Sequence, residues 1–148
     1  MLMKRTKPRL ITAFTLLVLL LGFIWGNSAM PGQTSGQLSG WVGDLLQTLL
    51  PFLDLSSNLG KTILRKLAHF SEFAALGMCL YWIFGMLKPS FPLPWLCGTA
   101  VACVDEIIQI FSPGRYASIV DVAIDSAGVI TGLSVLLLLH WLLKRHKK

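Results

Sequence analysis

Two adjacent carboxylates, Asp105 and Glu106, lie within the apolar stretch "VDEIIQIFSPGR". Gln109 follows Asp105 by four residues, so all three side chains fall on one side of a helix. Carboxylates in apolar surroundings are costly, and two of them side by side cannot both ionise cheaply. The stretch therefore predicts a proton donor next to a proton acceptor, with Gln109 orienting a water or a substrate hydroxyl or bonding across helices.

A second polar block reads "RKLAHFSEF" and combines cations, an imidazole and a carboxylate. Arg65, His69 and Glu72 stand at positions i, i+4 and i+7, which places them on one helix face. This arrangement suits a general base or nucleophile, His69, with Glu72 as its partner. A purely structural hydrogen-bonding histidine is the alternative.

A third block, "DVAIDSAGVITG", carries two more carboxylates. Asp121 and Asp125 share a helix face with Gly128 and Gly132, whose spacing allows another helix to approach closely. The two carboxylates are therefore expected to point toward neighbouring helices and to complete the same site.

Three cations accompany these carboxylates. Arg65, Lys66 and Arg115 suit a phosphate, because arginine offers two parallel donors and lysine a point charge. The "PG" of "SPGR" predicts the turn that directs Arg115 back over the site. Two structural alternatives stay open: Arg115 pairs with carboxylates to lock the helices together, and Lys66 is an interfacial anchor.

The elements that position these groups are apolar. The 148-residue chain is 54% hydrophobic and 14% charged, with a mean hydropathy of +0.67. This composition predicts an all-α integral membrane protein that forms one domain over residues 1–148. Four stretches approach the roughly 20 residues that a membrane-spanning helix needs. They are residues 10–26, 65–87, 95–111 and 119–143.

The net charge of +6 does not indicate a nucleic-acid partner, because the basic residues cluster at the chain ends. Lysine and arginine collect on the cytoplasmic side of membrane proteins, so both termini are predicted to be cytoplasmic. The polar groups of the last three spans then fall in one layer near the outer surface. The terminal basic residues are Lys4, Arg5, Lys7, Arg9, Lys144, Arg145, Lys147 and Lys148.

The segment between the first two spans, residues 27–61, is predicted to be an extracytoplasmic loop with a flexible part rich in Gly and Ser. Apolar residues at helical spacing predict a short helix over residues 41–53, lying on the outer interface or packed on the bundle. The basic start and apolar run before this segment also fit a cleaved signal peptide. The length of the run and Trp25 favour a retained span.

No cofactor is expected from the sequence. Clustered carboxylates suit Mg²⁺ or Ca²⁺, so a divalent cation is the alternative, but no ligand spacing is diagnostic and the basic residues already supply counter-charge. Zinc is less favoured because the cluster holds one histidine and no cysteine near it.

The three polar blocks resemble the VanZ-like family, whose pattern is an RK..HF.EY stretch, then DE..Q.F.PGR, then D...N/D..G. Here the corresponding sequences are "RKLAHFSEFAALG" and "DEIIQIFSPGRYASIVDVAIDSAGVITG". The resemblance covers about Arg65 to Gly132, nearly half of the chain. Phe73 stands where the family often has Tyr, and Asp125 stands where it often has Asn, which adds a charge to the site.

The resemblance implies a multi-pass protein of the bacterial cell membrane, from a family named after a protein associated with low-level resistance to teicoplanin. The family has also been grouped, by computational comparison, with helical membrane enzymes that process lipid head groups. The expected function is recognition or processing of a phosphate-linked lipid head group or wall precursor, and processing would be hydrolysis or transfer. Two alternatives remain: a non-enzymatic factor that binds an envelope component or antibiotic, and a small proton-coupled transporter.

Overall fold

A computed structural model describes residues 3–49, 54–55, 57–87 and 92–145. These residues form five α-helices and no β-strand. All except the second helix are long and apolar enough to cross a membrane, which confirms the predicted all-helical, four-span architecture. The helices are α1 (Met3–Ala29), α2 (Gly32–Leu49), α3 (Asn58–Leu87), α4 (Pro92–Ile110) and α5 (Ile119–Arg145).

Contacts between α1 and α3 show that these two helices are antiparallel. Asn27, near the end of α1, bonds to Glu72 in the first half of α3, and the Ala13 carbonyl contacts the Cys79 thiol farther along α3. The end of α1 therefore lies beside the start of α3. We call this end of the bundle the site end, and the opposite end, which holds Met3 and Arg145, the far end.

Helices α3 and α5 form the closest pair and run in the same direction. A Cβ on Gly128 would lie 2.5 Å from the Phe70 carbonyl oxygen, and a Cβ on Gly132 would overlap the Ala74 carbonyl oxygen. Glycine is required at such close approaches because any side chain would push the helices apart. The "GVITG" spacing predicted a contact of this kind.

One apolar core joins all four candidate spans. In the described residues, this core contains Ile24, Phe73, Leu76, Leu80, Ala102, Val129 and Leu133. Large apolar side chains also cover the outside, including Phe14, Leu19 and Leu138, which are about half exposed. An exterior of this kind fits contact with lipid.

The structure differs from the sequence prediction in the segment 27–61. Helix α1 continues to Ala29, α2 begins at Gly32, and α3 begins at Asn58. The start of α2 is fixed by the turn after α4: the Gly32 amide donates to the Pro113 carbonyl at 2.9 Å. The Gly and Ser content of this segment suggested a flexible loop. Local composition does not show a contact with a residue as distant in the sequence as Pro113. The predicted helix end at residues 50–53 lies outside the described residues.

Helix α2 presents two different surfaces. Gly43 approaches Leu64 on one side, so α2 packs against α3. Trp41, Leu45 and Leu49 are 53 to 70% exposed on the other side. Packing on the bundle, one of the two alternatives, is therefore observed, and the exposed apolar side leaves the interfacial location a prediction.

Candidate functional site

The three polar blocks meet at the site end, around a cavity of about 200 Å³. Helices α3, α4 and α5 and the connection after α4 all contribute to its wall. Two residues predicted for the site, Glu72 and Asp105, do not line it. The predicted residues that do are Arg65, Lys66, His69, Glu106, Gln109, Arg115, Asp121 and Asp125.

Asp105 is fully buried behind the cavity. Its Oδ2 atom accepts hydrogen bonds from Ser28 Oγ at 2.8 Å and from Gln109 Nε2 at 3.0 Å. His69 Nδ1 lies 3.9 Å from the same oxygen, and no described residue forms a hydrogen bond with Asp105 Oδ1. Residues from three helices thus meet at this carboxylate.

Glu106 is held at the start of α5. Its Oε2 atom accepts a hydrogen bond from the Ser118 amide at 2.6 Å, and its Oε1 atom accepts one from Gln109 Nε2 at 3.0 Å. A helix N-terminus favours negative charge because its first amides have no partners within the helix. Gln109 therefore bridges Asp105 and Glu106 through one amide nitrogen, a role within α4 rather than across helices.

Arg115 caps the C-terminal end of α1. Its Nη1 atom donates to the Asn27 carbonyl at 2.9 Å and to the Ser28 carbonyl at 3.1 Å. Gly114 makes the preceding turn with a φ of +75°, a conformation that suits glycine. The last carbonyls of a helix lack partners and carry partial negative charge, so a buried cation stabilises them. Among the described residues Arg115 forms no ion pair, so this cap takes the place of the ion-pair lock that was the structural alternative.

The Arg115 guanidinium stays positively charged in this position. Burial lowers its pKa, and the neighbouring charge of Arg65 lowers it further. Carboxylates nearby act in the opposite direction and raise its pKa; these are Asp105, Glu106 and Asp121. An arginine starts from so high a pKa that it remains protonated.

The other two cations line the cavity mouth. Lys66 forms an ion pair with Asp121, and both side chains are partly exposed. Pairs exposed in this way contribute little to stability, typically less than about 1 kcal/mol. Arg65 lines the cavity without an ion-pair partner in the described part of the chain.

Helix α1 contributes two residues that sequence reasoning missed. Asn27 Nδ2 donates to Glu72 Oε1 at 3.0 Å, and Ser28 Oγ donates to Asp105. Glu72 therefore connects α3 to α1 and does not face the cavity. Their position in the sequence could have indicated this role. Polar residues that directly follow an apolar span lie at the same depth in the membrane as the polar groups of adjacent spans.

His69, Asp105 and Asp125 form a compact cluster across α3, α4 and α5. One potential ligand atom from each of the three lies within 4.8 Å of the other two. Within the described part of the chain, neither carboxylate oxygen of Asp125 has a hydrogen-bond partner, and the residue is 1% exposed. Such an arrangement can hold a cation or share a proton.

The fold and the site together define a small helical membrane protein with four candidate spans and a buried polar cluster at one end. The chain belongs to the VanZ/LLP1 family, whose sequence model matches residues 13–140. The match includes most of α1, beyond the three motifs that suggested the family. No curated protein and no solved structure matches the chain.

Proposed function

We propose that this VanZ-family protein is a bacterial envelope enzyme that hydrolyses or transfers a phosphate-linked head group. Its substrate is a membrane lipid or a lipid-linked wall precursor, reached from the outer surface. One observation carries the proposal: a single cavity combines three cations with the imidazole of His69 and the buried carboxyl group of Glu106. Cations suit the phosphate, whereas the imidazole and the carboxylate suit proton transfer.

The size of the cavity favours a head group over an antibiotic. Pockets for drug-sized ligands have volumes of about 300 to 1,000 Å³. A cavity of about 200 Å³ accommodates a phosphate and its nearest substituents but not a whole glycopeptide. A link to teicoplanin resistance would therefore be indirect, through altered lipids or wall precursors.

In the proposed mechanism Arg65 and Lys66 bind the phosphate oxygens at the cavity mouth. Arg65 is suited to this task because no carboxylate pairs with it among the described residues. Lys66 is shared with Asp121, so phosphate would compete with a weak, partly exposed pair. Arg115 adds positive charge from a fixed position, since two α1 carbonyls hold its guanidinium.

His69 and Glu106 carry the proton transfers. His69 accepts the proton of the attacking water or acceptor hydroxyl while the oxygen forms a bond to phosphorus. Glu106 is 4% exposed, and this burial favours the neutral acid against the opposing effect of the α5 N-terminus. The phosphorus–oxygen bond to the leaving group breaks, and the protonated Glu106 gives its proton to the departing oxygen. Gln109 and the Ser118 amide hold Glu106 in place for this step.

The test compares the wild type with Glu106→Gln, which keeps the shape of the side chain but cannot donate or accept the proton. Purified full-length protein is incubated with an extract of bacterial lipids and wall precursors, and the products are identified by mass spectrometry. We expect Glu106→Gln to lower turnover at least about 10²-fold. Binding of the converted lipid should persist, because Arg65 and Lys66 are unchanged.

Asp44→Asn is the matched control, since Asp44 is an exposed carboxylate on α2, away from the cavity. It should leave turnover unchanged. If the wild type converts no component of the extract, or if Glu106→Gln converts it equally fast, the enzymatic proposal is wrong. Binding without conversion would support the non-enzymatic alternative.

A further inference from the structure

We propose that His69, Asp105 and Asp125 bind a divalent cation. The three residues come from α3, α4 and α5, and one potential ligand atom of each lies within 4.8 Å of the others. A cation at their centre would connect the three helices that carry the polar blocks. This inference goes beyond the proposed reaction, in which no metal takes part. Cation binding can also be measured without any lipid.

Unpartnered buried atoms are the main support. Four atoms of the cluster are buried and have no hydrogen-bond partner among the described residues: both oxygens of Asp125, one oxygen of Asp105 and Nδ1 of His69. Asp105 and Asp125 are 0 and 1% exposed. Buried carboxylates normally have partners, and leaving them unpaired is strongly unfavourable. A cation in this position would satisfy all three residues.

The surroundings of Asp105 resemble a support for a metal ligand. Ser28 Oγ and Gln109 Nε2 both donate to Oδ2, which fixes the carboxylate while Oδ1 stays unpartnered. Hydrogen bonds that orient a ligand are common around metal sites and contribute to metal affinity. The two donors come from α1 and α4, so they fix the carboxylate independently of α3 and α5.

The balance of charge favours a cation as well. The site holds five carboxylates and three permanent cations, an excess of two negative charges when all are ionised. Lys66 pairs with Asp121, and the Arg115 Nη1 atom bonds to α1 carbonyls, so neither pairs with Asp125. One divalent cation compensates the excess. The carboxylates are Glu72, Asp105, Glu106, Asp121 and Asp125.

The donor set favours Mn²⁺, with Zn²⁺ as the second candidate because the site offers one imidazole and no cysteine. Calcium takes six to eight oxygen ligands, whereas imidazole nitrogen is a better ligand for transition metals. Three protein ligands also leave a coordination position for water or a phosphate oxygen. His69 and Asp125 line the cavity, so that position would face it. A cation bound there would supply Lewis-acid activation of a phosphate oxygen. In the cation-bound protein His69 would serve as a ligand, and a cation-bound water would take over its part in providing the nucleophile.

The experiment uses full-length protein in detergent, treated with a chelator and then titrated separately with Mn²⁺ and Zn²⁺. Free Mn²⁺ is measured by electron paramagnetic resonance, and thermal unfolding is measured with each ion. We expect one tight site per chain and a Tm increase of about 5 °C or more at saturation. Asp125→Asn should weaken Mn²⁺ binding at least about 100-fold.

Asp44→Asn is again the control, and it should bind Mn²⁺ as the wild type does. The metal-free Asp125→Asn protein should be at least as stable as the metal-free wild type, because it lacks an uncompensated buried charge. This comparison shows that weak binding does not result from misfolding. Cation binding without lipid turnover would contradict only the proposed reaction.

The cation proposal is wrong if the wild type gains no stability from either ion, or if Asp125→Asn binds Mn²⁺ equally well. In that event the three side chains share protons instead. A wild-type Tm that depends on pH, together with loss of that dependence in Asp125→Asn, would identify the shared-proton arrangement.

Discussion

The two ends of the bundle are built from the same helices but are held together differently. At the site end, a group of polar and charged side chains is buried, and most of them bond to a residue on another element. Toward the far end, a wide groove of about 930 Å³ is lined mainly by apolar side chains such as Leu16, Met78 and Leu136. The buried polar and charged side chains thus form a cluster at one end of a largely apolar helix bundle.

This contrast bears on the transporter alternative. A transport path would need polar groups that continue across the bundle. In the described residues, seven polar or charged side chains are almost fully buried, and all of them belong to the site end: Ser28, Asp105, Glu106, Gln109, Ser112, Arg115 and Asp125. Toward the far end of the described bundle only isolated polar atoms are buried, such as Thr99 Oγ1 on α4. A site open at one end fits a substrate that approaches and leaves from the same side.

The largest expected contrast between the two ends is their location across the membrane. In a variant without native cysteines, Gln37→Cys on α2 should react with an impermeant thiol reagent added to intact cells. Lys144→Cys at the far end should react only after the cells are opened. The reason is that terminal basic residues favour the cytoplasm. Reverse labelling would contradict access to the site from outside.

The next contrast concerns the glycine contact between α3 and α5. A Cβ on Gly132 would overlap the Ala74 carbonyl oxygen, whereas a Cβ on Gly85, nearer the far end, meets nothing within 4 Å. Gly132→Ala should therefore lower the free energy of unfolding by about 3 kcal/mol. Gly85→Ala should leave it unchanged or raise it by up to about 1 kcal/mol, because alanine favours helices.

Detergent-induced unfolding followed by circular dichroism measures both glycine variants. Similar stability for the two proteins would show that α5 does not pack closely on α3. The site would then lose the contact that places Asp125 opposite His69.

The features that could be predicted from the sequence are local ones, both in the apolar spans and in the polar cluster. Apolar length predicted the four spans, and the cost of burying charge singled out Asp105 and Glu106. The "GVITG" pattern predicted a close contact because glycine has no side chain to separate the helices. Each of these features is a property of one local stretch of sequence.

Features that depend on distant partners could not be predicted in this way. Gly32 begins a helix because its amide bonds to Pro113, about eighty residues away in the sequence. Arg115 lines the cavity as expected, but its Nη1 atom bonds to α1 carbonyls, which the local sequence does not indicate. Asn27 and Ser28 follow an apolar run, where polar residues usually belong to a loop. Local composition cannot distinguish these cases.

The third contrast compares one arginine at each end. Arg115→Gln removes the cap from α1 and should lower the free energy of unfolding by about 2 kcal/mol, since hydrogen bonds to charged groups are worth about 1.5 to 3 kcal/mol. Arg145→Gln removes a far-end guanidinium that lies 4.4 Å from the Trp141 ring centroid. This loss should cost less than about 1 kcal/mol in such an exposed position.

A double-mutant cycle separates the cap from a general charge effect. Ser112 Oγ donates to the Ser28 carbonyl at 2.8 Å, the same oxygen that Arg115 contacts. Because the two donors share an acceptor, Arg115→Gln and Ser112→Ala should be non-additive by about 0.5 kcal/mol or more. Strict additivity would contradict the cap, and Arg115 would then act only through its charge.

The smallest contrast lies within α1 itself, between a hydroxyl at the site end and one outside it. Ser28 is fully buried and donates to Asp105, whereas Thr15 is exposed and donates to the Ile11 carbonyl of its own helix. Ser28→Ala should lower the free energy of unfolding by about 1 kcal/mol, the typical net value of one hydrogen bond, and leave Gln109 as the remaining donor to Asp105 Oδ2. Thr15→Ala should change it by less than about 0.5 kcal/mol.

The same measurement tests whether α1 is retained, because Ser28 can stabilise Asp105 only if α1 stays in the mature protein. Equal effects of the two substitutions, with an intact mass that lacks residues 1–29, would support the cleaved signal peptide, and the site would then have to be rebuilt from α3, α4 and α5 alone.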